Sequence, residues 1–124
     1  VMEFSTDGEY FIDGDTYCFT YLETEITGLP GTRTSVFVRP DEVVVDRDGM
    51  MTSRMILRER EKNRFLYTTP YGSATFNLST RSITKRFDEH GGELTLDYVV
   101  DMEHTCITRN KFYVRLREQQ PAAQ

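Results

Sequence analysis

Four polar residues stand where β-strand alternation would put apolar ones. Tyr17, Phe19 and Tyr21 mark one strand face, and Glu23 and Glu25 continue its phase. Arg47 shares a face with Val43 and Val45, and Asn110 shares one with Phe112, Val114 and Leu116. Successive side chains on a strand point to opposite sides, so these polar groups are expected to point inward with their apolar neighbours. An unpaired buried charge is costly. Arg47 is therefore expected to meet Glu23 or Glu25 inside or at the mouth of a barrel. Tyr21, Tyr71 and Asn110 are expected as hydrogen-bond partners, with Tyr17, Phe19 and Tyr98 completing a pocket wall. Such a pocket orients a small ligand, with Arg47 receiving an anionic group. The competing explanation is a structural ion pair near a barrel end, or a bulge that turns these groups to solvent.

Other chemistries find less support. Glu23 and Glu25 lie two apart on one face, the geometry of a carboxylate pair, so a general base there is an alternative. No catalytic residue is assigned. His90 sits in a turn and His104 beside one, and neither has a signposted nucleophile. Cys18 and Cys106 have no evident base, and their spacing to the histidines matches no zinc pattern. Asp13-Gly14-Asp15 lacks the later ligands of a calcium loop and reads better as a hairpin turn. No metal or cofactor is expected. Arg109, Lys111, Arg115 and Arg117 form a basic stripe on the last strand, which reads as an ordinary solvated face.

The elements that hold these residues are strands. Helical periodicity fails nearly everywhere, while alternation recurs. It is clearest at Leu94, Leu96, Tyr98, Val100 and Met102, with Glu93, Thr95, Asp97 and Asp101 between them. Further strands are expected from Phe4 to Ile12, Tyr17 to Tyr21, Thr34 to Arg39, Glu42 to Asp48, Ser53 to Arg58 and Arg64 to Thr68. Two more run from Ser73 to Ser79 and from Ser82 to Phe87, before the last from Thr108 to Leu116. Asp13-Gly14, Asp48-Gly49, Pro40-Asp41 and His90-Gly91-Gly92 carry turn chemistry. Thr69-Pro70-Tyr71-Gly72 should be a corner, because Pro70 cannot donate to a ladder and Gly72 tolerates unusual backbone angles. Gly28-Leu29-Pro30-Gly31 marks a longer loop, and the charged run Arg58 to Asn63 a solvated hairpin tip. Sequential hairpins give an antiparallel meander, and closure into a barrel would remove its edges.

Composition bounds the reading. The chain has 124 residues, suited to one domain. Residues 1–118 are expected to form a single barrel domain and 119–124 a frayed tail. Net charge is −5, and the first 32 residues hold seven acids and no Lys or Arg. An acidic chain argues against nucleic-acid binding. No membrane span is visible. Two cysteines make no disulfide framework, so free buried thiols in a reducing compartment are expected.

Several stretches together resemble a known family. Gly14-Asp15-Thr16-Tyr17, Glu25-Ile26-Thr27-Gly28-Leu29-Pro30-Gly31-Thr32, Thr69-Pro70-Tyr71-Gly72, and Gly91-Gly92-Glu93-Leu94 with Asp97-Tyr98 are similar to the YwiB-like family. Arg47 before Gly49 and Asn110 in the last strand fall where that family tends to place Arg and Asn. The resemblance covers nearly the whole chain. It implies an all-β, antiparallel, up-and-down calycin-like (lipocalin-type) β-barrel of about 8–10 strands. It also implies a bacterial, cytoplasmic protein, and a further N-terminal strand that a chain starting at Val1 lacks. It brings no activity with it. The Trp motif of true lipocalins has no counterpart, since the chain has no Trp. The leading expectation is a non-enzymatic barrel that binds a small molecule. The alternative is a self-filled barrel serving as a protein-interaction module or homodimer.

Overall fold

The computed structural model describes residues 8–23, 31–102 and 106–117. Glu25, His104 and the expected tail lie outside the described residues. The nine strands are β1 (Gly8–Asp13), β2 (Thr16–Leu22), β3 (Arg33–Val38), β4 (Val43–Asp48), β5 (Thr52–Leu57), β6 (Lys62–Thr69), β7 (Gly72–Asp88), β8 (Gly91–Met102) and β9 (Cys106–Arg117). They pair antiparallel in chain order as one sheet, which is the expected up-and-down arrangement. Among the described residues no ladder joins β1 to β9, so the sheet is a curled half-barrel whose concave side forms a lumen.

Local chemistry accounts for the reversals. Gly14 takes φ 61° in the turn after β1, a value that suits glycine in a two-residue hairpin. Pro70 and Tyr71 form the turn between β6 and β7. There Thr69 Oγ1 accepts from the Tyr71 amide at 3.1 Å and donates to the Gly72 carbonyl at 3.2 Å. The charged run after β5 is a tip, with the Glu61 amide bonded to the Arg58 carbonyl at 3.0 Å.

One expectation is corrected. Ser73–Ser79 and Ser82–Phe87 are not separate strands but parts of the 17-residue β7. Its register against β8 shifts between Thr80 and Ser82. Arg81 is absorbed as a bulge, which sharpens twist and bends the strand without ending it. The second half of β7 then reaches the first two strands. Phe87 stacks on Tyr17 with ring centroids 5.4 Å apart, and lies 6.4 Å from Tyr10 and 6.5 Å from Phe19. Tyr10 donates its hydroxyl to the Asp88 carbonyl at 2.7 Å. Lys85 Nζ donates to the carbonyls of Arg39 and Pro40 in the turn after β3.

The core follows the register. Phe19, Val36, Val45 and Met55 face one another in a row across β2 to β5. Tyr17, Val38, Val43 and Leu57 form the next row. Leu78, Leu94 and Leu96 complete a buried cluster from β7 and β8. Burying each large aliphatic side chain contributes roughly 1.5–3 kcal/mol. Pairing is thinnest between β5 and β6, where only Thr52–Thr68 and Ser53–Tyr67 are in register. Beyond them the Asn63 side-chain amide donates to the Ile56 carbonyl at 2.9 Å.

An ion-pair clamp ties the turn after β3 to β5. The Glu42 carboxylate accepts from Arg39 Nη1 at 2.8 Å, and from Arg58 Nε and Nη2 at 3.0 and 2.8 Å. The Arg58 hydrogen bonds, then those of Arg39, hold the Glu42 carboxyl below its ordinary pKa of 4.5. A carboxyl depressed in the folded state stabilises fully above its unfolded pKa, and that stability is lost as pH falls through the folded value. The urea midpoint of the wild-type protein should therefore drop more steeply below pH 4.5 than that of Glu42→Gln. Parallel slopes for the two proteins would show that the clamp adds nothing.

Candidate lumen site

A polar row crosses the concave face above the apolar rows. Tyr21, Thr34, Arg47, Ser53 and Tyr67 stand opposite one another in successive strands. Glu23 lies just past the end of β2, its amide bonded to the Thr32 carbonyl at 2.7 Å. Its phase points it into the same row. Opposed residues on neighbouring strands hold their Cβ atoms about 4.5–5.5 Å apart, so this row forms a continuous polar stripe.

The expected meeting of Arg47 with Glu23 is present. Arg47 Nε lies 4.0 Å from Glu23 Oε1, with the two side chains 17% and 4% exposed. Thr34 Oγ1 donates to the same carboxylate oxygen at 2.6 Å. The Tyr21 hydroxyl also bonds to Glu23, and burial, then the Glu23 charge, push its pKa well above the ordinary value. Glu23 is therefore a buried carboxylate served by hydroxyl donors on one side and a guanidinium on the other. The guanidinium side is looser: Arg47 Nε is buried and makes no hydrogen bond.

A cavity of about 280 Å³ opens beside this pair. Arg47, Ser53, Tyr67, Tyr98, Thr108 and Asn110 supply its polar wall, and Met51, Met55, Phe65, Phe76 and Val100 its apolar wall. Ser53 is 3% exposed, and its Oγ has no hydrogen-bond partner. Tyr98 and Asn110 face each other across β8 and β9. Burial raises the Tyr98 pKa, and the Arg47 charge partly offsets the rise.

The structure sorts the expected pocket residues. Arg47, Tyr98 and Asn110 line the cavity, and Tyr21 and Glu23 stand behind Arg47. Tyr17 and Phe19 do not line it; they pack around Phe87 in the core. Tyr71 does not line it either. It sits in the turn after β6, 98% exposed, because a two-residue turn projects its side chains away from the sheet. Thr34 and Ser53 belong to the site without having been singled out. Their signal was phase: Thr34 alternates with Val36 and Val38, and Ser53 with Met55 and Leu57. Small hydroxyls in an apolar phase are inconspicuous beside a buried charge.

Outside the lumen, the basic stripe of β9 is partly neutralised. Arg109 Nε and Nη2 reach the Asp97 carboxylate at 3.3 and 3.0 Å, and Arg115 lies 3.9 Å from Glu93. Cys18 is a buried free thiol, as expected. Among the described residues no cluster of His, Cys, Asp and Glu has the makings of a metal site.

The hydroxyls of Thr34 and Ser53 should respond oppositely to removal. Thr34→Val deprives a buried carboxylate of a donor and should cost about 1–3 kcal/mol in urea unfolding. Ser53→Ala removes an unsatisfied polar atom and should change stability by less than about 1 kcal/mol. Equal losses at both positions would contradict this assignment of partners.

Comparison with known proteins agrees with the architecture. A family model described as a domain of unknown function, DUF1934, matches residues 1–114. No curated protein matches the chain. The crystal structure of ywiB protein from Bacillus subtilis is similar, with a TM-score of 0.74 and 26% sequence identity, covering 81% of this chain and 69% of that chain. The resemblance read from the glycine-rich turns is thereby established, and the chain belongs to the DUF1934 family, whose YwiB-like members share this curled antiparallel sheet.

Proposed function

We propose that this protein is a calycin-like binding barrel that holds a small molecule in its lumen, without catalysing a reaction. One observation carries the reading. The cavity is lined by Arg47 and Ser53, each of which carries a buried polar atom without a hydrogen bond, Nε and Oγ, beside a wall of methionine and aromatic side chains. Buried donors are nearly always satisfied, so two unsatisfied ones on neighbouring cavity residues favour a partner supplied from the lumen. The volume of about 280 Å³ lies near the lower end of ligand sites, which favours a small metabolite over a long lipid. Glu23 as a general base gains nothing from the geometry, since its carboxylate is already occupied by Thr34 and Tyr21. A reducing, cytoplasmic setting in a bacterium fits the buried free thiol of Cys18 and the Bacillus relative.

A second reading has its own support. Phe11 and Leu22 on β1 and β2 are 53% and 51% exposed. They lie at the β1 end of the sheet, and a homodimer through that end would cover them.

Native mass spectrometry of the freshly purified protein, followed by thermal-shift screening of a metabolite library, tests the first reading. A ligand at 100 times its dissociation constant should add roughly 2.7 kcal/mol of stability. Arg47→Met should abolish the shift while the variant remains folded by circular dichroism. A library with no hit, together with an unliganded native mass, would sink the binding reading. Sedimentation at micromolar concentration decides the dimer.

A further inference from the structure

We infer that the lumen selects an uncharged ligand whose head group is a hydrogen-bond acceptor, such as a carbonyl or carboxamide, and that it rejects carboxylates and phosphates. The inference rests on the lumen-binding reading and specifies its chemistry.

Its basis is the charge balance of the polar row. Among the described residues lining the cavity, Arg47 is the only cation. The Glu23 carboxylate already stands behind it at 4.0 Å, with a side chain only 4% exposed. The pair is neutral as a unit. An anion beside Arg47 would be attracted by the guanidinium and repelled by the Glu23 carboxylate behind it. The repulsion offsets part of the attraction, and the cost of stripping water from the anion remains. A neutral acceptor avoids that cost while keeping the hydrogen bonds.

Two donors stand on neighbouring strands. Arg47 and Ser53 are directly opposite in register on β4 and β5, and both carry a buried polar atom without a partner. Ser53 is more than nine-tenths buried, so water is a poor substitute partner for it. A carbonyl oxygen has two lone pairs and accepts from both. The remainder of the ligand meets Met51, Met55, Phe65 and Phe76. Thioethers adapt to different shapes, so this wall tolerates variation in a compact apolar body while the head stays specified.

The test uses three probes with one body: 3-phenylpropanamide, 3-phenylpropanoate and 3-phenylpropylamine. Binding is read by NMR of the protein with ¹³C-labelled methionine methyls, which reports on Met51 and Met55 inside the lumen. The amide should shift both methyl signals and bind about tenfold or more tightly than the carboxylate, as expected for a desolvated charge without a net partner. Glu23→Gln removes the balancing charge and should reverse that order. Should Glu23→Gln fail to fold, Ser53→Ala keeps the ion pair and should weaken the amide alone, by about three- to tenfold. Carboxylate binding equal to or tighter than the amide in the wild-type protein would overturn the inference and leave lumen binding intact. So would tightest binding by the amine. Methyl signals unmoved by all three probes would overturn it together with the lumen reading.

Discussion

Everything on the concave side depends on one extra residue in β7. Arg81 has no counterpart in β8, and the ladder steps over it between Thr80 and Ser82. Slipping a strand by one residue exchanges its faces. Here the bulge makes that exchange inside a single strand. Thr80 is inward and buried, and after the bulge Ile83 and Phe87 pack against the core. The bend also carries Phe87 to Tyr17, and Lys85 to the turn after β3. Were Arg81 paired in the ladder instead, the residues after it would take the opposite phase and Phe87 would turn away from the core.

The curl divides the interior into two regions. Toward the Phe87 end, rows of valine, leucine and aromatic side chains form the buried cluster. Toward the other end, Thr34, Arg47 and Ser53 replace them, and a cavity remains. An apolar core is stabilised by closing every gap. A polar row follows another rule: each group needs a partner, and geometry decides whether it gets one. Glu23 gets several, whereas Arg47 Nε has only the Glu23 charge at 4.0 Å and Ser53 Oγ makes no hydrogen bond.

Alternation made much of this legible before any coordinates. It placed Glu23 and Arg47 on inward faces, and the cost of an unpaired charge brought them together. It likewise put Tyr98 and Asn110 inward, though only register shows them to be directly opposite. Tyr71 was misplaced because phase stops at the end of a strand, and its two-residue turn aims it at solvent. The bulge left no trace in residue type: Ser79-Thr80-Arg81-Ser82 contains neither Gly nor Pro, so the segment looked like a boundary. What decides it is pairing with β8, which is a property of two strands together.

The sparse ladder between β5 and β6 has a mechanical consequence. With two registered pairs at one end and the Asn63–Ile56 bond farther along, the β5–β6 seam divides the sheet into two leaves, β1–β5 and β6–β9, which are joined again where β7 meets Tyr10, Tyr17 and the turn after β3. Arg47 and Ser53 ride on one leaf, Tyr98 and Asn110 on the other. The width between those two groups is therefore set by two joins, the β5–β6 seam and the contacts of Phe87 and Lys85.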